Sequence, residues 1–203
     1  MGHPFSWLGG SDGLAVLVIA GSGRGAGKTA VGCALMAAMP EVSWAAVKVS
    51  PHRHDVGEEL WEELDFRSDK DTGRYLAAGA RRGFLVSGAS DFRAAELVLE
   101  ARGRASLCDA LLVESNRIAA GTVARCGEAA VSLAVLAGAE AEWKTSLLEC
   151  VGRVDAVVLA NSVSPEEFVS PFARKPVFGL AAGLWSVPEL VRFVRGRLLL
   201  AKT

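Results

Sequence analysis

The sequence predicts an α/β protein of three layers, in which a mostly parallel sheet is covered by helices on both faces. Two observations lead to this fold class. Short apolar runs alternate with helix-length segments, and strands that are apolar throughout are typical of sheets buried on both sides. A glycine-rich segment also stands between the first apolar run and the first helical segment, an arrangement that recurs in parallel α/β sheets.

Seven apolar runs predict the strands, at residues 14–20, 42–49, 83–86, 110–113, 129–136, 156–160 and 177–180. We expect the second strand to lie beside the first in a doubly wound sheet. The polar, charged segment 51–70 carries no such run and is predicted as a loop with a partial helix.

Apolar residues at helical spacing predict helices at residues 25–39, 71–80 and 91–101, and a last helix that begins near Pro188. Ser90 or Asp91 is the expected N-cap of the third helix, and Gly103 its stop. The last helix has a capping box, Ser186-Val187-Pro188-Glu189, with proline in the first turn.

Composition and charge exclude several classes of protein. The 203 residues are 51% apolar and 22% charged, with a formal net charge of −1, which excludes an intrinsically disordered chain and gives no basic excess for binding nucleic acid. The four cysteines form no C-x-x-C pair, so we expect neither a zinc ribbon nor a disulfide framework. No apolar segment reaches the roughly 18 residues of a membrane span. We therefore expect one cytoplasmic domain over residues 1–203, with residues 1–12 as a flexible N-terminus.

The strongest chemical signal directly follows the first predicted strand and reads Gly21-Ser22-Gly23-Arg24-Gly25-Ala26-Gly27-Lys28-Thr29. Glycines let successive backbone N–H groups turn towards an anion, and the following helix adds the positive end of its dipole. We expect the segment from Ser22 to Thr29 to hold nucleotide phosphates, with Lys28 on the β- and γ-phosphates and Thr29 on Mg²⁺. The pattern thus predicts a P-loop NTPase fold with GTP or ATP and Mg²⁺ as ligands; the alternative is a glycine-rich turn that binds nothing.

Three residues at strand ends are further candidates, because ligands bind at the carboxyl edge of parallel sheets. Glu114 is expected to hold Mg²⁺ directly or through water, or else to be a solvated acid. Lys48 is expected to neutralise a second anionic group or to stabilise charge on a transferred phosphoryl group, or else to be a surface lysine. Asn161 could pair with the edge of a nucleotide base, or else cap a turn or a helix.

Two polar groups are more ambiguous. His52, His54 and Asp55 read either as polar loop residues or as part of a metal site. Asp71 and Arg74 stand one helical turn apart and read either as a local ion pair or, for Arg74, as an anion contact.

Residues 14–115 resemble the molybdopterin-guanine dinucleotide biosynthesis protein B (MobB) family. The resemblance rests on the glycine-rich loop, on Ala45-Ala46-Val47-Lys48 with the histidines that follow, on the Asp71-led segment ending Ala78-Gly79-Ala80, and on Val113-Glu114. It implies a GTP-binding accessory factor of molybdenum cofactor biosynthesis with slow or partner-dependent hydrolysis. A pterin and another protein of that biosynthesis are the implied partners.

Other segments resemble dethiobiotin synthetase, namely Lys48-Val49-Ser50-Pro51, Asn161-Ser162-Val163-Ser164-Pro165 and Pro176-Val177-Phe178-Gly179. This resemblance implies an ATP-dependent enzyme that phosphorylates a carboxylate-bearing small molecule near Lys48. A non-enzymatic, nucleotide-dependent adaptor is the third hypothesis, and a homodimer is left open. GTP is favoured through the first resemblance, but the residues alone fit either base.

Overall fold

The computed structural model describes residues 13–52, 59–137, 143–160, 172 and 174–199. Within them one sheet holds eight strands in the order β3-β4-β2-β5-β1-β6-β7-β8. The elements in chain order are β1 (Ala15–Gly21), α1 (Lys28–Ala38), β2 (Trp44–Ser50), β3 (Leu60–Glu63), α2 (Asp71–Ala77), β4 (Arg82–Ser87), α3 (Asp91–Arg104), β5 (Ala110–Glu114), α4 (Ala120–Val123), β6 (Ala130–Leu136), α5 (Thr145–Leu148), β7 (Ala156–Leu159), β8 (Val177–Gly179) and α6 (Pro188–Leu199).

The sheet is buried on both faces, which confirms the predicted three-layer α/β class. Every residue of β1 and of β5 is buried. Alternate residues of β1 enter opposite cores, because successive side chains of a strand point to opposite faces. Leu17 and Ile19 pack with residues of α1 and α6, whereas Val16 and Val18 pack with residues of α3 and α4. Apolar runs without alternation are therefore what the strands of this fold require.

The strand order differs from the expected one. β2 is not next to β1, because β5 is inserted between them and pairs in parallel with both. In this register Glu114 stands opposite Ile19 on one side and opposite Lys48 on the other. Glu114, the last residue of β5, therefore lies between β1 and β2, which both continue beyond it to Gly21 and Ser50.

The segment 51–70 also differs, because part of it forms a strand where we expected a loop with a partial helix. β3 pairs antiparallel with β4 at the edge of the sheet. Its end is fixed by the buried Glu63, whose Oε1 accepts hydrogen bonds from the backbone N–H groups of Leu64 and Asp65 at 3.1 and 3.0 Å. A short edge strand tolerates polar residues, which hides it from a search for apolar runs.

Helix bounds follow local backbone chemistry. α1 begins at Lys28 rather than residue 25, because Gly25 and Gly27 have φ angles of 77° and 93°, which no helix contains. The Ser90 hydroxyl accepts a hydrogen bond from the Arg93 N–H, so Ser90 is the N-cap of α3. That helix continues through Gly103 to Arg104, beyond the predicted stop. In the described part of the chain, we find no helix with the length and apolar character of a membrane span.

Candidate functional site

The glycine-rich loop leads from the end of β1 to the first turn of α1. Gly25 and Gly27 supply the left-handed backbone that turns the chain. Lys28 folds back over the loop, where its Nζ donates a hydrogen bond to the Gly23 carbonyl at 2.7 Å. Its side chain crosses Gly21 so closely that a Cβ there would lie 2.7 Å from Lys28 Cγ. No side chain caps α1 within the described structure, so its N-terminal amides are available to an anion.

Ser22 has a structural contact at the position where phosphate loops usually have glycine. Its hydroxyl donates to the carbonyl of Ala137 and accepts from the N–H of the same residue, both at 2.9 Å. The side chain is buried. Serine at this position therefore ties the loop to the end of β6.

Two carboxylates meet the hydroxyl of Thr29 at the mouth of the loop. Thr29 Oγ1 lies 2.7 Å from Glu114 Oε2 and 3.0 Å from Asp71 Oδ1, within hydrogen-bond distance of both. The structure thus brings together Thr29 and Glu114, which the sequence singled out as metal candidates, and adds Asp71. Arg74, 3.6 Å from Asp71 Oδ1, forms the local ion pair that the sequence suggested.

Lys48 joins the same two carboxylates from the side of β2. Its Nζ contacts Glu114 Oε1 and lies 2.9 Å from Asp71 Oδ2. Burial acts to lower the pKa of Lys48, but the two carboxylates outweigh burial and raise that pKa above its ordinary value. Burial likewise acts to raise the pKa of Asp71, yet the hydrogen bonds from Lys48 and Thr29 hold it below its ordinary value. Lys48 is therefore a charged partner of the acids rather than a bare surface lysine.

Tyr75, on α2, fixes Glu114 from inside the core. It is fully buried, and its hydroxyl donates to Glu114 Oε2 at 2.8 Å. Burial and the negative charge of Glu114 raise the pKa of the phenol well above its ordinary value, so it remains a donor at physiological pH. Gly32 makes room for the ring, because a Cβ there would lie 2.9 Å from Tyr75 Cε1.

Asn116 holds the loop from the side of β5. Its Oδ1 accepts from the Gly21 N–H at 2.8 Å, and its Nδ2 donates to the Gly21 carbonyl at 2.9 Å and to the Ser146 hydroxyl at 3.2 Å. Sequence reasoning missed Asp71, Tyr75 and Asn116 as site residues. Asn116 had a signal, since it comes two residues after the acid at the carboxyl end of a strand.

A cleft of about 640 Å³ is lined by residues of this site, among them Lys28, Lys48, Asp71, Glu114 and Asn116. It is rich in cations, since six lysine or arginine side chains line it: Arg24, Lys28, Lys48, Lys70, Arg117 and Lys144. Burial lowers the pKa of the Lys28 ammonium, an effect that the charge of Glu114 opposes. The lining therefore suits an anion with several negative charges.

The remaining sequence candidates are two histidines, an aspartate and an asparagine. Asn161, His54 and Asp55 fall outside the described residues. His52 lines the cleft, but the described residues hold no group of three or more His, Cys, Asp or Glu that could bind a metal ion.

Comparisons with known proteins give the fold. No protein-family model and no curated protein matches the chain. Among solved structures it is similar to HypB from Helicobacter pylori in complex with nickel, with a TM-score of 0.54 and 16% identity over 94% of this chain and 88% of that one. It is also similar to Bacillus subtilis MobB (TM-score 0.46, 18% identity, 91% of this chain and 98% of that one). A third similar structure is a LAO/AO transport system kinase (TM-score 0.44, 13% identity, 93% of this chain and 63% of that one). The likeness to HypB, together with the mostly parallel sheet and the loop between β1 and α1, shows that the chain has the P-loop NTPase fold.

Proposed function

We propose that the chain binds a magnesium–nucleoside triphosphate in this cleft and promotes transfer of its terminal phosphoryl group, to water or to a second substrate. The observation that carries the proposal is the convergence on Thr29. One hydroxyl at the start of α1 lies within hydrogen-bond distance of two carboxylates from different elements, Glu114 of β5 and Asp71 of α2.

The loop supplies the phosphate site. The left-handed Gly25 and Gly27 and the uncapped start of α1 direct backbone N–H groups towards a bound anion. Lys28 is anchored to the Gly23 carbonyl, and bound phosphates would offer it a stronger, charged acceptor. Negative phosphates would also favour its protonated form, against the effect of burial.

The oxygen atoms around Thr29 fit Mg²⁺. This ion prefers hydroxyl, carboxylate and phosphate oxygens, with only one or two carboxylates from the protein. Thr29, Glu114 and Asp71 provide this set of donors. When bound, the ion would neutralise charge on the terminal phosphates. The residues of the chain do the positioning: Tyr75 and Thr29 hold the Glu114 carboxylate, and α2 carries Asp71.

The finer proposals differ in the nucleotide and in the second substrate or partner. A MobB-like accessory factor in molybdenum cofactor biosynthesis, binding GTP, is supported by the sequence resemblance over residues 14–115. A dethiobiotin synthetase-like enzyme, using ATP on a carboxylate-bearing small molecule, is supported by the cation-rich lining of the cleft. Binding without turnover would point instead to an adaptor.

Calorimetric titration with GTP and with ATP, each with and without Mg²⁺, tests the proposal. The variant Lys28→Ala should bind nucleotide about tenfold to a hundredfold more weakly, because a charge-assisted hydrogen bond is lost. Lys175→Ala serves as the control, since this lysine does not line the cleft. Unchanged affinity in a folded Lys28→Ala protein would contradict the proposed phosphate site.

Hydrolysis assays then separate the finer proposals. The accessory factor predicts preference for GTP with slow basal turnover, and the enzyme predicts ATP turnover stimulated by a carboxylate-bearing substrate. An adaptor predicts tight binding with no turnover in either assay.

A further inference from the structure

The ammonium of Lys48 shares its carboxylate partners with the expected magnesium site. Lys48 Nζ contacts Glu114 Oε1 and lies 2.9 Å from Asp71 Oδ2. Thr29 Oγ1 contacts the other oxygen of each acid, Glu114 Oε2 and Asp71 Oδ1. The two acids are thus bridged twice, once by a cation and once by a hydroxyl.

We propose that Lys48 is an exchangeable counter-cation of this acid pair, which a divalent cation displaces, so that metal binding sends the lysine ammonium into the cleft. The inference rests on the proposed function, because it takes Thr29, Glu114 and Asp71 as the metal ligands. It adds that the same acids are neutralised by the chain itself when no divalent cation is bound.

Charge makes the two cations competitors. A divalent ion that coordinates these carboxylates would stand within a few ångströms of the lysine ammonium, and like charges at that separation repel strongly. The ammonium is held by the same two carboxylates that the ion needs, through Glu114 Oε1 and Asp71 Oδ2. The lysine ammonium and the divalent ion therefore compete for the two carboxylates.

Burial determines which partner moves. The side chain of Glu114 is 1% exposed and is held by Tyr75 and Thr29. The side chain of Lys48 is 21% exposed and lines the cleft. Its ammonium stands at the end of a flexible four-carbon stem. Displacement therefore moves the lysine while the acid stays in place.

The direction of that movement matters for function. Lys48 borders the cleft together with Arg24 and Lys144, where the terminal phosphate or an anionic second substrate would lie. Once released from the acids, the ammonium becomes available to that anion. Metal binding and anion binding at Lys48 are then coupled through one side chain.

The affinity for Mn²⁺ tests the exchange, measured by electron paramagnetic resonance on the nucleotide-free, full-length chain. Lys48→Met keeps the length of the side chain and removes its charge, so it should bind Mn²⁺ about tenfold more tightly or better than the wild type. Lys144→Met is the matched control: it removes a charge from the same cleft, and among the described residues Lys144 makes no ion pair with either acid. The affinity of Lys144→Met for Mn²⁺ should rise less than about threefold, since solvent ions screen a charge that is not in contact with the acids.

Three results would overturn the exchange: no gain for Lys48→Met, an equal gain for Lys144→Met, or no Mn²⁺ binding by any of the proteins. Failure of the proposed function looks different, because it appears as absent nucleotide binding by the wild type. A chain that binds magnesium–nucleotide but shows no gain in Lys48→Met retains the function and loses the exchange.

A second measurement needs no variant, in case Lys48→Met does not fold. Lysines of the wild-type chain are labelled with acetic anhydride in a chelator and in Mg²⁺, and the labelled positions are read by mass spectrometry. Labelling of Lys48 should be faster in Mg²⁺, because its ammonium is no longer held by two carboxylates, while Lys175 should not change. Equal labelling of Lys48 in both conditions contradicts the exchange.

Discussion

Tyr75 offers the sharpest test of how the site is built, through the variant Tyr75→Phe. The substitution keeps the ring, which is fully buried, and removes only the hydroxyl that donates to Glu114 Oε2 at 2.8 Å. Water is poorly placed to replace this donor, because the side chain of Glu114 is 1% exposed.

The expected loss follows from the type of bond. A hydrogen bond to a charged group contributes about 1.5–3 kcal/mol to the free energy of unfolding. For a domain of this size, each kcal/mol moves the melting temperature by about 2–4 °C, so we expect a fall of about 3–12 °C. Urea unfolding followed by circular dichroism measures the loss. Tyr75→Leu, which also loses ring packing, should be less stable still. A loss below about 0.5 kcal/mol for Tyr75→Phe would refute the proposed role of the hydroxyl.

The same phenol predicts an alkaline pH dependence. Its pKa in the folded chain is well above the ordinary value of 10.0, so between the two values the folded state holds a proton that the unfolded state has lost. Stability contributed by this group is complete below pH 10.0 and falls as the pH rises beyond it. In Tyr75→Phe, the free energy of unfolding should not show this fall above pH 10.0. Tyr75 is the single tyrosine of the chain, so its ultraviolet titration reports the shift directly.

Two further predictions concern the metal site and the loop. Glu114→Gln should weaken magnesium-dependent nucleotide binding by about tenfold to a hundredfold, while binding without Mg²⁺ changes little; equal losses in both calorimetric titrations would make Glu114 a structural acid. Gly27→Ala should be destabilised more than Gly25→Ala in urea unfolding. Both variants lose about 1–2 kcal/mol of stability, because alanine is strained in a left-handed backbone. At Gly27 the new Cβ would also lie 2.4 Å from Trp185 Cζ3, whereas at Gly25 nothing lies within 4 Å. Equal losses would show that the Trp185 ring moves aside.

Local patterns were sufficient for most elements of the fold. Apolar runs predicted seven of the eight described strands, because strands covered on both faces have no alternation to obscure them. The glycine-rich loop was recognisable because it combines positive φ angles, a lysine and a hydroxyl within one short segment. Thr29 and Glu114 were both singled out from their positions, and the structure places them 2.7 Å apart.

Contacts between distant segments could not be predicted in this way. Asp71 has a satisfactory local explanation in its ion pair with Arg74, which conceals its contact with Thr29, 42 positions away. Tyr75 has the pattern of a core residue of a helix. Its hydroxyl finds an acceptor only in the folded chain, where Glu114, 39 positions away, lies beside it. Such pairings depend on how α2 packs against the rest of the chain, which the pattern of residues around each position does not reveal.

The position of β5 explains why Lys48 acts on the acids. Neighbouring strands lie about 4.8 Å apart, so β2 runs about 10 Å from β1, with β5 between them. If β2 were next to β1, as the sequence suggested, Lys48 would stand beside the phosphate loop. With β5 inserted, the residue opposite Lys48 is Glu114, and the same carboxylate is reached by Thr29 from the other side. One strand insertion thus places a single buried acid between a lysine and the start of α1, and the chemistry of the site depends on which cation that acid holds.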